Sequence, residues 1–77
     1  SKTSAVAGAI AGVFRETQHV EVQAIGASAV NQAVKALALA KGYLVNDGFE
    51  MVCVPHFVDV DINGNIRTAI RFIVEPR

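Results

Sequence analysis

The sequence predicts an α+β domain of two layers, helices on one face of a small sheet, and three observations carry that reading. Apolar residues recur at helical spacing in two segments, residues 5–14 and 29–41; a short alternating segment lies between them; and a long β-branched run ends in a hairpin. The expected order is helix, strand, helix, strand, strand.

The first helix is expected from a cap at Thr3 or Ser4 to about Thr17, with Val6, Ile10, Val13 and Phe14 facing the core. Its other side carries Ala5, Gly8, Ala9 and Gly12. A glycine inside a helix costs about 1 kcal/mol relative to alanine, and close approach of another backbone offsets that, from within the chain or from a second subunit. Lys2 precedes this apolar stretch, but Arg15-Glu16-Thr17 follows it without a small-residue cleavage site. It is too short to span a bilayer and reads as a folded helix rather than a signal segment.

Residues 19–25 alternate, with Val20, Val22 and Ala24 on one side and His19, Glu21 and Gln23 on the other. This is a strand with one wet face. Gly26-Ala27-Ser28 then turns into a second helix over residues 29–41, stopped by Gly42 as a left-handed cap. Its buried stripe is expected to be Val30, Ala33, Val34 and Leu37, with Asn31 and Lys35 as a polar wedge and Gln32, Ala36 and Leu39 as a second flank. After an Asn46-Asp47-Gly48 turn, residues 49–62 are apolar on both faces, which suggests a central strand, although Pro55 withholds a ladder donor and points to a bulge or an edge.

Face alternation sets the expected hairpin register. A three-residue loop, Asn63-Gly64-Asn65, pairs Ile62 with Ile66, Val60 with Thr68 and Val58 with Ile70, and sets Asp61 opposite Arg67 and Phe57 opposite Arg71. A two-residue Asn63-Gly64 loop would mix apolar and polar faces.

Composition bounds the function. The 77 residues form one domain, and seven basic against seven acidic side chains leave no charge excess to announce a nucleic-acid or membrane partner. A chain of this size buries only about 60% of its unfolded surface, so a homodimer or higher homo-oligomer is expected. Cys53 is alone, and with only His19 and His56 as nitrogen donors it makes no zinc set. The lack of paired cysteines fits a reducing cytoplasm.

Asp59-Val60-Asp61-Ile62-Asn63-Gly64 copies the first half of a calcium loop, but the twelfth position is Ile70, so solvated strand carboxylates are expected and no metal. No nucleophile elbow, Cys–His pair or phosphate loop is present in the sequence, so no catalytic residue and no cofactor are expected. Cys53 reads as a small core residue and His56 as a core or interface histidine. What remains is the turn at residues 23–32. A helix opening straight after a strand and a glycine presents free N–H groups to an anion. Ser28, Asn31 and Gln32 add neutral groups able to contact phosphate or sugar. Simple capping and tight packing is the other reading of the same turn.

Val6-Ala7-Gly8-Ala9, then Gln23-Ala24-Ile25-Gly26-Ala27 leading into Asn31-Gln32-Ala33-Val34-Lys35-Ala36, then Arg67-Thr68-Ala69-Ile70-Arg71-Phe72-Ile73-Val74-Glu75-Pro76 closely resemble the stage V sporulation protein S family, over essentially the whole chain. The resemblance implies the Alba-like fold, in which a strand precedes the first helix (β-α-β-α-β-β, two helices on one face of a mixed sheet). It also implies a dimeric, non-enzymatic protein of the bacterial cytoplasm, expected to bind nucleic acid in sporulation control. This chain opens at Ser1-Lys2-Thr3, where that first strand would already have ended, so the strand is missing here and the sheet edge beside residues 20–25 is expected open.

Alba-like binders carry basic residues just before the first helix and at the start of the second. Lys2 matches the first place, whereas residues 26–29 hold no charge. The expected nucleic-acid-binding residues are therefore Lys2, the helix mouth at Gly26, Ser28, Asn31 and Gln32, and Arg67 and Arg71 on one face of the hairpin, with DNA or RNA as ligand and no membrane. The reading from a different class is a protein-interaction or scaffolding module on the same fold, supported by the neutral charge and the small-residue helix face.

Overall fold

A computed structural model describes residues 2–77, with side chains from Thr3 onward. The elements are α1 (Lys2–Thr17), β1 (Val20–Ala24), α2 (Ala27–Val45), β2 (Met51–Ile62) and β3 (Asn65–Pro76), in the order expected. The three strands form one sheet ordered β1-β3-β2, antiparallel at both junctions. Among the described residues the sheet is antiparallel throughout where a mixed one is expected, and β1 is one of its edges.

Both helices cover the same face of the sheet. Val74, Phe72, Met51 and Ala24 meet Ala7, Ile10, Ala11 and Phe14 of α1 and Ala33, Ala36, Leu37, Ala40 and Leu44 of α2 in one buried cluster. The stripes are rotated from those expected. In α1, Val6 and Val13 are each 46% exposed and Ala7 and Ala11 take the inner positions; in α2, Val34 is outside and Ala36, Ala40 and Leu44 are inside. Alanines on the facing stripes let the two helix axes come close, and the bulkier valines would hold them apart.

Thr3 lies inside α1 rather than capping it. Gly8 and Gly12 have no neighbour where a side chain would start, so the close intrachain approach offered above as compensation is not there. Gly42 does not stop α2 either. Its φ is not positive and the helix runs on to Val45, because Leu44 is fully buried and its burial outweighs one interior glycine. With nothing within 4 Å of an added methyl, Gly42→Ala is expected to stabilise the domain by about 0.5–1 kcal/mol. A urea midpoint that does not rise contradicts this.

Two expectations for the hairpin are corrected. β2 is an edge strand, with β3 in the centre. The Arg77 N–H to Glu50 O bond (3.0 Å) fixes the phase of the ladder. In that phase Pro55 lies where an N–H would point away from β3, so its missing donor costs nothing and no bulge is needed. The loop is also two residues long: Asn63 and Gly64 have φ of 51° and 85°, and the pairs are Ile62–Asn65, Val60–Arg67, Val58–Ala69, Phe57–Ile70 and His56–Arg71.

Face alternation fixes register only where one face is buried. Here the outer half of the hairpin runs past the helices, leaving Phe57 and Ile66 80% and 66% exposed, so the Asn-Gly preference for left-handed backbone decides. Asp61 Oδ1 accepts the Gly64 N–H at 2.8 Å, closing the turn instead of facing Arg67. The projecting arm accounts for a radius of gyration of 13.0 Å, above the roughly 11.5 Å of a compact chain this long.

Candidate nucleic-acid interface

The mouth of α2 is built by Gly26, whose φ of 88° and ψ of 153° belong to a region essentially reserved for glycine. The chain leaves β1 and enters the helix within one residue of it, and the Val30 N–H returns to Gly26 O at 2.9 Å. No side chain caps the helix, so its first N–H groups are left for solvent or an anion. The helix starts at Ala27 rather than residue 29, which puts Ser28 in the first turn. Ser28 and Asn31 are exposed, and neither makes a side-chain hydrogen bond among the described residues.

Gln32 is more committed than its sequence position suggests. Its Oε1 accepts from Thr3 Oγ1 at 2.6 Å, clamping α2 to the start of α1 and leaving the amide N–H groups to donate outward. Beside this clamp a groove of about 880 Å³ opens between Thr3 and Val6, residues 22–25 along the free edge of β1, and Ala29 and Gln32. Lys2, expected just before the first helix, has its backbone in the first turn of α1, and its side chain lies outside the described residues.

Arg67 and Arg71 share a face, as expected, but it is the outer face of the sheet. Phe72 and Val74 point to the helices, so the alternate positions Arg67, Ala69, Arg71 and Ile73 point away from them. The arginines and the helix mouth are therefore brought to the same end of the molecule, on opposite sides of the sheet. Ala24 pairs with Ile70, which places the β1-to-α2 connection beside the point where the arm leaves the body.

The relative freedom of the two arginines is the reverse of that expected. Arg71, opposite His56 and not Phe57, donates from Nε and Nη2 to Gln23 Oε1 at 3.2 and 2.9 Å and lies 3.9 Å from Glu21 Oε1. Arg67 sits opposite Val60, exposed, with no ion pair among the described residues. The other side of the arm carries exposed Phe57 and Ile66 with Asp59 and Asp61. Sequence reasoning missed Phe57 and Ile66 as arm residues, and the signal that could have found them is the Asn-Gly dipeptide.

His56 is exposed on the outer face rather than in a core, and Cys53 is half-buried against the helices. Burial pushes the Cys53 thiol above its usual range, only partly offset by the positive charge of Lys41. This is the opposite of what a reactive thiol needs. A surface network of His19, 3.1 Å from Glu21 and 3.7 Å from Glu75, lies at the far end of the sheet from the arm.

Residues 1–77, the whole chain, match the family described as Stage V sporulation protein S (SpoVS). The chain belongs to the SpoVS family. It is thereby a sporulation-related protein, and the segments that first pointed to SpoVS now have places in the fold. Residues 23–27 of this SpoVS chain form the end of β1 and the α2 mouth, and residues 67–76 form most of central β3. No helix among the described residues is long and apolar enough to cross a membrane.

Proposed function

We propose that this SpoVS-family chain is a non-enzymatic, Alba-like sporulation regulator of the bacterial cytoplasm that works as a dimer and binds nucleic acid. The observation that carries the reading is a projecting hairpin arm with the unpaired Arg67, rising from the same end of the molecule as the uncapped α2 mouth. Backbone N–H groups with Ser28 and Asn31 hold one phosphate without needing charge. Arg67 supplies the charge for a neighbouring phosphate, and Phe57 and Ile66 give the arm an apolar surface for a groove or an unstacked base. With no net charge the contacts are few, so binding is weak and its salt dependence shallow.

Retention of duplex DNA and of single-stranded RNA, titrated against salt, tests this. Arg67→Ala is expected to weaken binding to all sequences and to flatten the salt slope by about one unit, as the loss of one phosphate contact does. Arg71→Ala is expected to change the slope less, because its guanidinium is already held by Gln23. No retention even at low salt overturns the nucleic-acid reading. It then favours a protein-interaction module, for which the carboxylates of Asp59 and Asp61 on the arm and the balanced net charge already argue.

A further inference from the structure

We infer that the free edge of β2 along the hairpin arm docks an extended segment of another protein, one with lysine or arginine at alternate positions and β-branched residues between them. β2 is an outer strand of the sheet, and no described backbone group bonds to its far side. In the ladder phase fixed by Arg77 and Glu50, the even-numbered residues of β2 bond to β3. Phe57, Asp59 and Asp61 therefore turn both N–H and C=O outward. Pro55 has no N–H to offer there, so the pairable stretch begins at Phe57 and ends at the Asn63-Gly64 turn.

The side chains along this edge choose the occupant. Phe57, Asp59 and Asp61 lie on one face of the arm, and Phe57 is 80% exposed. An exposed aromatic on a long unpaired edge invites strand addition, which proteins suppress with lysine, a bulge or a short strand. Beyond Pro55 the arm has none of these; it has two carboxylates. Asp59 has no hydrogen bond or ion pair among the described residues, and Asp61 holds the Gly64 N–H through one oxygen only. Cations directly across an added strand pair with both carboxylates, and one more meets the face of the Phe57 ring. On the other face of the arm Val58, Val60 and Ile62 stand beside Arg67, which favours apolar neighbours and repels cations. The two faces of the arm thus fix which side of the incoming strand is basic.

A second copy of this chain does not fit the edge. Antiparallel pairing that keeps residues 57–61 of two arms together sets Asp59 on Asp59, and the next register toward the turn sets Asp59 on Asp61. Phe57 is shared with the nucleic-acid reading above, whereas Asp59 and Asp61, which repel phosphate, serve this edge alone.

The capped peptide Thr-Lys-Val-Lys-Val-Lys-Thr, titrated to about 1 mM against the full chain and followed by NMR and amide hydrogen exchange, tests this. It is expected to slow exchange about fivefold or more at Phe57, Asp59 and Asp61, leaving Val58 and Val60, already bonded to β3, unchanged. The same peptide with glutamate for lysine is expected to protect nothing. Asp59→Lys is expected to weaken peptide binding about tenfold, since repulsion replaces attraction, and not to lower nucleic-acid retention. Should that variant not fold, Asp59→Asn, of nearly the same shape, is expected to weaken peptide binding about threefold. A chain assembled with an N-methyl group on the Asp59 nitrogen loses an outward donor but no internal bond, as at Pro55, and is expected to stay folded and bind poorly. Protection of these amides in the free chain, equal binding of the glutamate peptide, or full binding after N-methylation overturns the inference. Protection by single-stranded RNA but not by the lysine peptide assigns the edge to nucleic acid and overturns it too. A chain that binds the lysine peptide and retains no nucleic acid refutes the nucleic-acid reading alone.

Discussion

Phe14→Ala is expected to leave a large fraction of the protein unfolded near room temperature. Phe14 has no exposed surface and its ring meets Phe49 edge-to-face at 5.9 Å between centroids, so one side chain joins α1, α2 and the loop leading into β2. Truncating a buried phenylalanine costs about 3–5 kcal/mol, part of it the cavity left behind. A chain of this length has roughly 4–12 kcal/mol of total stability to lose. The effect should be clear as a fall in the urea midpoint at unchanged slope. Phe14→Leu keeps most of the volume and is expected to cost distinctly less. A loss below about 1 kcal/mol for Phe14→Ala would mean that the α1 end does not anchor the core.

Phe14 was legible in the sequence, and the reason it was legible explains what was not. Ile10 and Phe14 are large and lie on any plausible inner stripe, so periodicity alone places them. Ala7, Ala11, Ala36 and Ala40 carry no such signal, because alanine suits a buried and an exposed helix face equally well. They are inside only because the two helices pack closely, a tertiary fact. The strand β1 was read correctly because one of its faces is covered and the other wet, the condition under which alternation is informative.

The arm fails that condition. Beyond Ala69 and Val58 neither face of the hairpin is covered by helices, so matching apolar partners had no burial energy behind it, and the local demand of Asn63 and Gly64 for positive φ prevailed. That one-residue shift exchanged the partners of Arg67 and Arg71 and with them the expected roles of the two arginines. Arg71 gained Gln23 through the β1–β3 pairing, which no local pattern in the hairpin could disclose. The helix mouth, by contrast, was readable to within a residue or two, since Gly26 between an alternating segment and a helical one has little else to be.

Gly26→Ala is expected to cost about 1–3 kcal/mol and to impair the α2 mouth along with stability. A methyl group at that position meets nothing within 4 Å, so crowding is not the cause. The cost comes from the backbone: φ of 88° with ψ of 153° is a conformation that an L-side chain resists and glycine adopts freely. Relaxing the strain rotates the entry into α2, which lengthens the 2.6 Å clamp from Thr3 to Gln32 and moves the first N–H groups away from Ser28 and Asn31. Nucleic-acid retention should therefore fall with stability, whereas Arg67→Ala should lower retention and leave the melting midpoint in place. A chain this short can be assembled chemically, which separates handedness from size. D-alanine at position 26 has the same methyl group but prefers positive φ, and it is expected to restore both stability and retention toward the glycine values. Equal losses for the L- and D-residues would show that the added carbon, rather than the backbone conformation, disturbs the mouth.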